Sequence, residues 1–259
     1  MHLAETHPSA GPSVLFLHGG NVAGWMWRGQ AAALPDHHGL IPDLPGFGAS
    51  AAAGEHWTGL AAVADELAGL IREHAHDRRA HVVGLSLGGI VGTVLAARHP
   101  DIVRSVFVTG AAVRGVRGPV RALGLAQLRL WGRHGYWSGL ARAYRLPADS
   151  VDEFVTTGLG IDRGSARRLV HEIHDGVPAA TLDGLRSLDA PLLAIAGERE
   201  RRAIRAALPD IAGRAPHGAT GLAPGMHHVW SAEDPDLFHR VLAHWLAHAE
   251  PSPELLPTT

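Results

Sequence analysis

The sequence predicts an α/β protein in which helices flank a mostly parallel β-sheet. Short apolar runs alternate along the chain with longer segments of helical periodicity, and this alternation is typical of a parallel sheet covered on both faces. Several of the runs end in glycine, which suits the turns that leave such a sheet. The alternation is interrupted over residues 112–186, where no strand pattern is evident.

Composition limits the class of protein. The 259 residues are 46% hydrophobic and 19% charged, as expected for a globular protein with a substantial core. A formal net charge of −2 gives no indication of nucleic-acid binding. The absence of cysteine excludes disulfides, thiolate metal sites and a cysteine nucleophile. Because neither a secretory signal nor a membrane-spanning apolar run is evident, we expect a cytoplasmic protein with no membrane span.

Six short apolar runs are interpreted as strands, and three segments between or after them as long helices. The predicted strands are SVLFLHGG (13–20), GLIPDLPGFG (39–48), AHVVGL (80–85), VRSVFVTG (103–110), APLLAIAG (190–197) and ATGLAP (219–224). The predicted helices are residues 57–74, residues 88–100 and a C-terminal helix that begins at Pro235. Asp234 can cap this last helix, because its carboxylate can accept hydrogen bonds from the free amides of the first turn.

The interruption at residues 112–186 contains eleven arginines and several aromatic residues, and its patterns look helical. We predict a helical cap inserted into a core of residues 1–111 and 187–250, followed by a frayed tail at residues 251–259. The acids interleaved with the arginines are Asp149, Asp152, Glu153 and Asp162. We therefore favour a solvated helical face over a surface that contacts acidic or membrane-associated substrates.

The stretch GLSLGG contains the most informative residue, Ser86. This serine stands in a G-x-S-x-G motif, directly after a predicted strand and directly before a predicted helix. A sharp strand-to-helix turn exposes the serine hydroxyl at the end of the sheet, and the helix N-terminus faces any negative charge that develops there. Upstream, LHGG (17–20) ends another strand, and the amides of Gly20 and Leu87 are candidates for an oxyanion hole. We give DLPGFGAS (43–50) a structural role.

A nucleophilic serine needs a base, and the base needs an orienting acid. The stretch AGERE follows a predicted strand and offers Glu198 and Glu200. Further along the chain, the candidate bases are His217, His227 and His228.

These motifs, in this order, resemble those of the α/β-hydrolase superfamily over most of the chain. The resemblance implies an eight-stranded sheet or a shortened form of it, with a cap over a Ser-acid-His triad. The family's acid usually stands three residues after the glycine that ends its strand, which favours Glu200 over Glu198. The family's histidine pattern favours His228 over His227. Because few residues precede LHGG, we expect the first strand to be missing and HLAETH (2–7) to form the second.

The resemblance implies a serine hydrolase that cleaves a small or medium apolar ester, thioester or lactone, without a cofactor or a metal ion. A carbon–carbon bond hydrolase, a perhydrolase and a ligand-binding protein of the same fold stay open as alternatives, as does the oligomeric state. The aromatic residues that suggest either an apolar pocket or core packing are Trp25, Trp27, Trp131, Tyr136 and Trp137.

Overall fold

A computed structural model describes residues 1–119 and 121–258 in full and Val120 by its backbone alone. The strands are β1 (Leu3–Thr6), β2 (Ser13–Leu17), β3 (His38–Pro42), β4 (Ala80–Leu85), β5 (Val103–Thr109), β6 (Leu192–Gly197) and β7 (Gly218–Ala223). Across the described residues they form one sheet in the order β1-β3-β2-β4-β5-β6-β7. Strand β1 is antiparallel to β3, and the other neighbours are parallel. The predicted fold class is confirmed, and HLAETH supplies the edge strand as expected.

The helices follow the strands in the predicted alternation. Helices α1 to α4 are Arg28–Ala32, Gly48–Ala52, Leu60–His74 and Leu87–Arg98. Between β5 and β6 lie α5 (Gly118–Gln127), α6 (His134–Ala143), α7 (Val151–Gly160), α8 (Arg163–Asp175) and α9 (Ala179–Leu182). The last four are α10 (Arg202–Arg205), α11 (Leu208–Ala212), α12 (Trp230–Glu233) and α13 (Pro235–His248). The Asp234 carboxylate accepts a hydrogen bond from Leu237 N and so caps α13, as predicted.

Both faces of the sheet are buried, which explains why a strand such as SVLFL is buried at every position and apolar at all but the first. Val14 and Phe16 of β2 join one cluster, with the buried aromatic side chains of α13. Leu15 and Leu17 point to the opposite face and join a second cluster that includes α3 and α4. This second cluster continues into α6, α7 and α8, so the inserted helices share a core with the sheet.

The inserted helices are anchored to the rest of the chain differently at two places. At Trp57, the backbone N donates to Ser165 Oγ (2.8 Å) and the indole Nε1 donates to Glu172 Oε2 (2.9 Å), both on α8. On α7, by contrast, Glu153 forms an ion pair with Arg28 (2.9 Å) in which both side chains are exposed. Helix α8 is therefore fixed by largely buried hydrogen bonds. Helix α7 combines this exposed ion pair with the buried packing of Phe154 and a hydrogen bond from Trp25 Nε1 to Thr157 Oγ1 (3.0 Å).

The prediction of a frayed tail is wrong for residues 251–258, and Thr259 lies outside the described residues. Leu222 of β7 and Leu256 exchange two backbone hydrogen bonds of 2.8 Å each. Ser252 is buried. The prolines and polar residues of this segment suggested disorder, but β7 is an edge strand whose free backbone groups need partners, and the tail supplies them.

Among the described residues, no helix combines the length and the apolar character needed to cross a membrane.

The junction of β4 and α4 depends on glycine at a close approach between backbones. A Cβ at Gly88 would overlap the carbonyl oxygen of Leu17 at the end of β2. At Gly69, on the exposed side of α3, a Cβ would have no neighbour within 4 Å among the described residues.

We therefore predict that Gly88→Ala lowers the free energy of unfolding by about 2 kcal/mol or more, because neither backbone can move without distorting the sheet. Gly69→Ala is the control, and it should raise stability by about 0.5 kcal/mol, since alanine is the better helix former. Urea unfolding followed by circular dichroism measures both. Equal stabilities of the two variants would contradict this account of the junction.

Candidate active site

A cavity of about 870 Å³ lies between the carboxyl ends of the central strands and the inserted helices. The core side of its wall includes Ser86, Leu87, Gly20 and His228. The inserted segment contributes the apolar side chains of Trp131, Leu146, Phe154, Leu169, Val170 and Ile173. It also contributes the polar side chains of Gln127, Tyr144, Asp149, Ser150, Glu153 and His174. The roof of the cavity therefore combines an apolar surface with several polar groups.

Ser86 occupies the turn between β4 and α4 in a conformation that is unusual for a non-glycine residue, with φ of 55° and ψ of −112°. Its backbone N donates to Thr109 O at the end of β5 (2.8 Å), which holds the turn in place. Strained backbone of this kind persists only where the surroundings enforce it, and it is concentrated at functional sites. The turn directs Ser86 into the cavity, at the N-terminus of α4.

Gly20 and Leu87 lie side by side on the cavity wall. Gly20 follows β2, Leu87 is the first residue of α4, and a Cβ at Gly20 would be 3.9 Å from the Cβ of Leu87. Leu87 carries one of the free amides of the helix N-terminus, where partial positive charge accumulates. The two loops are thus adjacent, as an oxyanion hole requires.

His18 stabilises the loop that carries Gly20. Its ring is completely buried, Nε2 accepts a hydrogen bond from Leu44 N (2.9 Å), and Nδ1 donates to Gly19 O (2.8 Å). Burial lowers the pKa of His18, which keeps the ring neutral and suits this pattern of one donor and one acceptor. Asp43, in DLPGFGAS, accepts hydrogen bonds from Gly24 N (2.7 Å) and Ala49 N (2.8 Å). These contacts agree with the structural role predicted for that stretch.

Glu200 and His228 form the closest acid–base pair of the site. Glu200 Oε2 lies 2.8 Å from His228 Nδ1. The carboxylate side chain is only 3% exposed and the imidazole 23% exposed. A buried carboxylate at this distance fixes the orientation of the ring and favours the tautomer with the proton on Nδ1. The sequence predicted these two residues, and the structure brings them together.

Ser86 and His228 share the cavity wall, but no hydrogen bond joins their side chains in the described part of the chain. Catalytic contacts of this kind are often long before a substrate binds.

The other candidate residues have different partners. Glu198 accepts a hydrogen bond from Gly225 N (2.7 Å) in the turn after β7. His227 pairs through Nδ1 with Glu233 (2.9 Å). Burial raises the pKa of Glu233, but hydrogen bonds from the backbone and ring of His227 outweigh this effect and hold that pKa below its ordinary value. His217 is exposed and precedes β7, at the end of the sheet opposite Ser86.

Gly110 is a site residue that the sequence prediction missed. It ends β5 with a φ of +64°, and a Cβ there would be 3.0 Å from two ring atoms of His228 and 3.7 Å from Glu200 Oε2. Glycine thus provides the space that the imidazole occupies. The sequence signal was present, since Gly110 closes a predicted strand, but no local pattern indicates that a distant histidine packs against it.

Further contacts fix the loop that carries His228. The indole Nε1 of Trp230 donates to Thr109 Oγ1 (2.8 Å), and both groups are buried. Arg199 N donates to Met226 O (2.8 Å), which joins the turns after β6 and β7. A side chain at Gly197 would overlap the backbone of this loop at Met226. The Glu200 turn and the His228 loop are therefore packed directly on each other.

Tyr144 extends from the end of α6 to the same site. Its ring centroid is 6.2 Å from that of His228, and its side chain lines the cavity. Burial raises the pKa of Tyr144, although the nearby Asn21 side chain opposes this shift. Asn21 follows Gly20 and has a positive φ of 74°. The inserted helices thus contact both the histidine and the loop of the candidate oxyanion hole.

The aromatic residues singled out in the sequence divide between the two expected roles. Trp25 and Trp131 line the cavity. Trp27 and Trp137 are fully buried in the two clusters of the core, and Tyr136 packs against the edge of one of them. In the part of the chain that the structure describes, no group of three or more His, Asp or Glu side chains is arranged to hold a metal ion.

Residues 12–152 match the family described as the alpha/beta hydrolase fold. Together with the sheet order and the Ser86 turn, this match shows that the chain belongs to the α/β-hydrolase fold family. The predictions of the family and of an α/β-hydrolase enzyme are confirmed at this level.

Relatives agree with this assignment. The chain is 28% identical, over 95% of its length and 84% of the relative, to an AB hydrolase superfamily protein of Gibberella zeae. A shorter match, 36% identical over 103 residues (39% of each chain), is to the pimeloyl-(acyl-carrier protein) methyl ester esterase of Aeromonas hydrophila. Among solved structures, the enol-lactonase from Burkholderia xenovorans superposes with a TM-score of 0.78 at 21% identity, covering 95% of this chain and 96% of that one. That likeness concerns the fold.

Proposed function

We propose that this protein is a serine hydrolase that cleaves a small or medium apolar ester, thioester or lactone through an acyl-enzyme on Ser86. The observation that carries the proposal is the contact of the buried Glu200 carboxylate with His228, which lines the same cavity as the strained Ser86 turn. Ester cleavage is supported by the similarity to a methyl ester esterase, which is matched over 103 residues.

In the proposed reaction, Ser86 Oγ attacks the carbonyl carbon while its proton passes to His228 Nε2. Glu200 holds the Nδ1 proton of His228 and stabilises the imidazolium that forms. The carbonyl electrons move to oxygen, where the amides of Gly20 and Leu87 donate hydrogen bonds. The C–O bond of the ester then breaks, and the alcohol takes the proton from His228. A water molecule repeats the sequence on the acyl-enzyme and releases the acid.

Residues 112–186 act in this proposal as the cap that selects the acyl group. Their apolar side chains form much of the cavity roof, and burying apolar substrate surface there contributes about 25 cal/mol per Å². A cavity of about 870 Å³ is within the range that accepts a drug-sized molecule. The apolar surface of the roof favours an acyl chain over a charged acid, and a series of p-nitrophenyl esters of increasing acyl length measures the preferred size.

We predict that Ser86→Ala reduces kcat for p-nitrophenyl butyrate at least about 10³-fold, the scale seen when a triad nucleophile is removed. The change deletes one oxygen at the cavity wall, so the thermal unfolding midpoint should fall by no more than a few degrees. Turnover equal to that of the wild type would exclude an acyl-enzyme on Ser86.

The acid is tested by a matched pair of glutamates. Glu200→Gln removes the charge beside the imidazolium and should reduce kcat about 10³-fold. Glu198→Gln keeps an acceptor for Gly225 N and should retain most of the activity. Steady-state kinetics of the two purified variants gives the comparison, and a greater loss in Glu198→Gln would show that the acid is assigned to the wrong residue.

The base is tested by the two neighbouring histidines. His228→Ala should be nearly inactive, because the serine proton then has no acceptor. His227→Ala loses the contact with Glu233, which affects the local loop, and it should keep most of its turnover. Both variants are assayed with the same ester after their folding is checked by circular dichroism. An inactive His227→Ala beside an active His228→Ala would reverse the assignment.

A further inference from the structure

A second cavity, of about 380 Å³, lies on the inserted helices. We call it the cap groove. Its wall includes Arg163 and Arg167 of α8 together with Arg129, and its apolar part includes Leu125, Leu128 and Trp131. Residues 163 and 167 are one helical turn apart, so both guanidinium groups project from the same face of α8.

The three arginines of the cap groove lack acidic partners. The ion pairs formed by other arginines of the inserted segment join Arg114 to Asp210, Arg121 to Asp175, Arg145 to Glu233 and Arg186 to Asp183. Within the described residues, Arg129, Arg163 and Arg167 take part in no such pair. They concentrate positive charge on a protein whose formal net charge is −2.

Three of the four acids that are interleaved with these arginines in the sequence have their contacts outside the groove. Glu153 pairs with Arg28, and Asp149 lines the larger cavity. Asp162 accepts a hydrogen bond from Ser165 N (2.6 Å) and lies 3.3 Å from His56 Nδ1. In the described structure no carboxylate lines the cap groove. The three arginines are exposed, as the predicted solvated helical face requires, but the interleaved acids do not accompany them into the groove.

The apolar part of the cap groove includes Trp131. Trp131 is only 6% exposed, and its indole N–H forms no hydrogen bond with the described residues. Trp131 also lines the larger cavity, so this one side chain belongs to the walls of both. A ligand in the groove would contact arginines and an apolar surface together.

We propose that the cap groove binds a small amphiphilic anion, whose phosphate group contacts Arg129, Arg163 and Arg167 and whose apolar chain lies on Leu125, Leu128 and Trp131. Guanidinium groups suit phosphate because their planar donors pair with two oxygens at once. Phosphate offers three such oxygens to the three arginines. This site is separate from the Ser86 reaction, and its existence does not depend on that reaction.

The test measures binding of hexyl phosphate by calorimetry at low ionic strength. Hexanol, which has only the apolar chain, and inorganic phosphate, which has only the phosphate group, are measured for comparison. Hexyl phosphate should bind at least about tenfold more tightly than either. In the double variant Arg163→Gln/Arg167→Gln its affinity should fall about tenfold or more, since each exposed charged contact contributes a severalfold effect. Added salt should weaken the wild-type affinity.

The control is Arg117→Gln/Arg142→Gln, which removes the same charge from exposed positions that line neither cavity. It should bind hexyl phosphate within about twofold of the wild type. Three results would overturn the proposal: no measurable binding of hexyl phosphate, equal binding of hexanol, or equal losses in the two double variants. If the first double variant unfolds, Arg129→Gln replaces it and the same criteria apply. Because binding is measured without turnover, the result is independent of the fate of the hydrolase proposal.

Discussion

The left-handed backbone at Ser86 is the constraint on which the site depends. It allows β4 to pass into α4 within a single residue, and Gly88 then lets the first turn of α4 approach the end of β2. This approach brings the loop at Gly20 beside Leu87. The backbone at this junction thus positions Ser86, the N-terminus of α4 and the loop at Gly20. A side chain at Gly88 would disturb all three.

The sequence was sufficient to predict those parts of the structure that follow from local pattern. Strands buried on both faces are continuous apolar runs, and β4 and β6 were therefore recognised within a few residues. Glu200 and His228 were favoured over Glu198, His217 and His227 through the resemblance to the α/β-hydrolase superfamily, because the local pattern alone left these alternatives open. Gly110 and the Trp230–Thr109 hydrogen bond could not be chosen in this way. Their importance arises from contacts between segments that are distant in the sequence, and such contacts leave no local sequence pattern.

The error over the tail has the same origin. The segment after α13 has the composition of a disordered tail, yet Leu256 pairs with Leu222 of β7, whose edge would otherwise be free at this place. Acids and arginines alternate in the inserted segment, but folding sends Glu153 and Asp162 to other partners and leaves Arg163 and Arg167 together. Charge balance along a sequence is therefore a poor guide to charge balance on a folded surface.

The unequal anchoring of the inserted helices has a consequence for access to Ser86. The contacts of α8 with Trp57 are removed from solvent, whereas the Arg28–Glu153 pair of α7 lies at the edge of the larger cavity with its two side chains 69% and 42% exposed. Dissolved ions screen exposed charges far more than buried hydrogen bonds. Rising ionic strength therefore weakens the Arg28–Glu153 pair while the contacts of α8 with Trp57 persist. Because Arg28 and Glu153 both line the larger cavity, the electrostatic field that a charged molecule meets at this edge of the cavity depends on salt concentration.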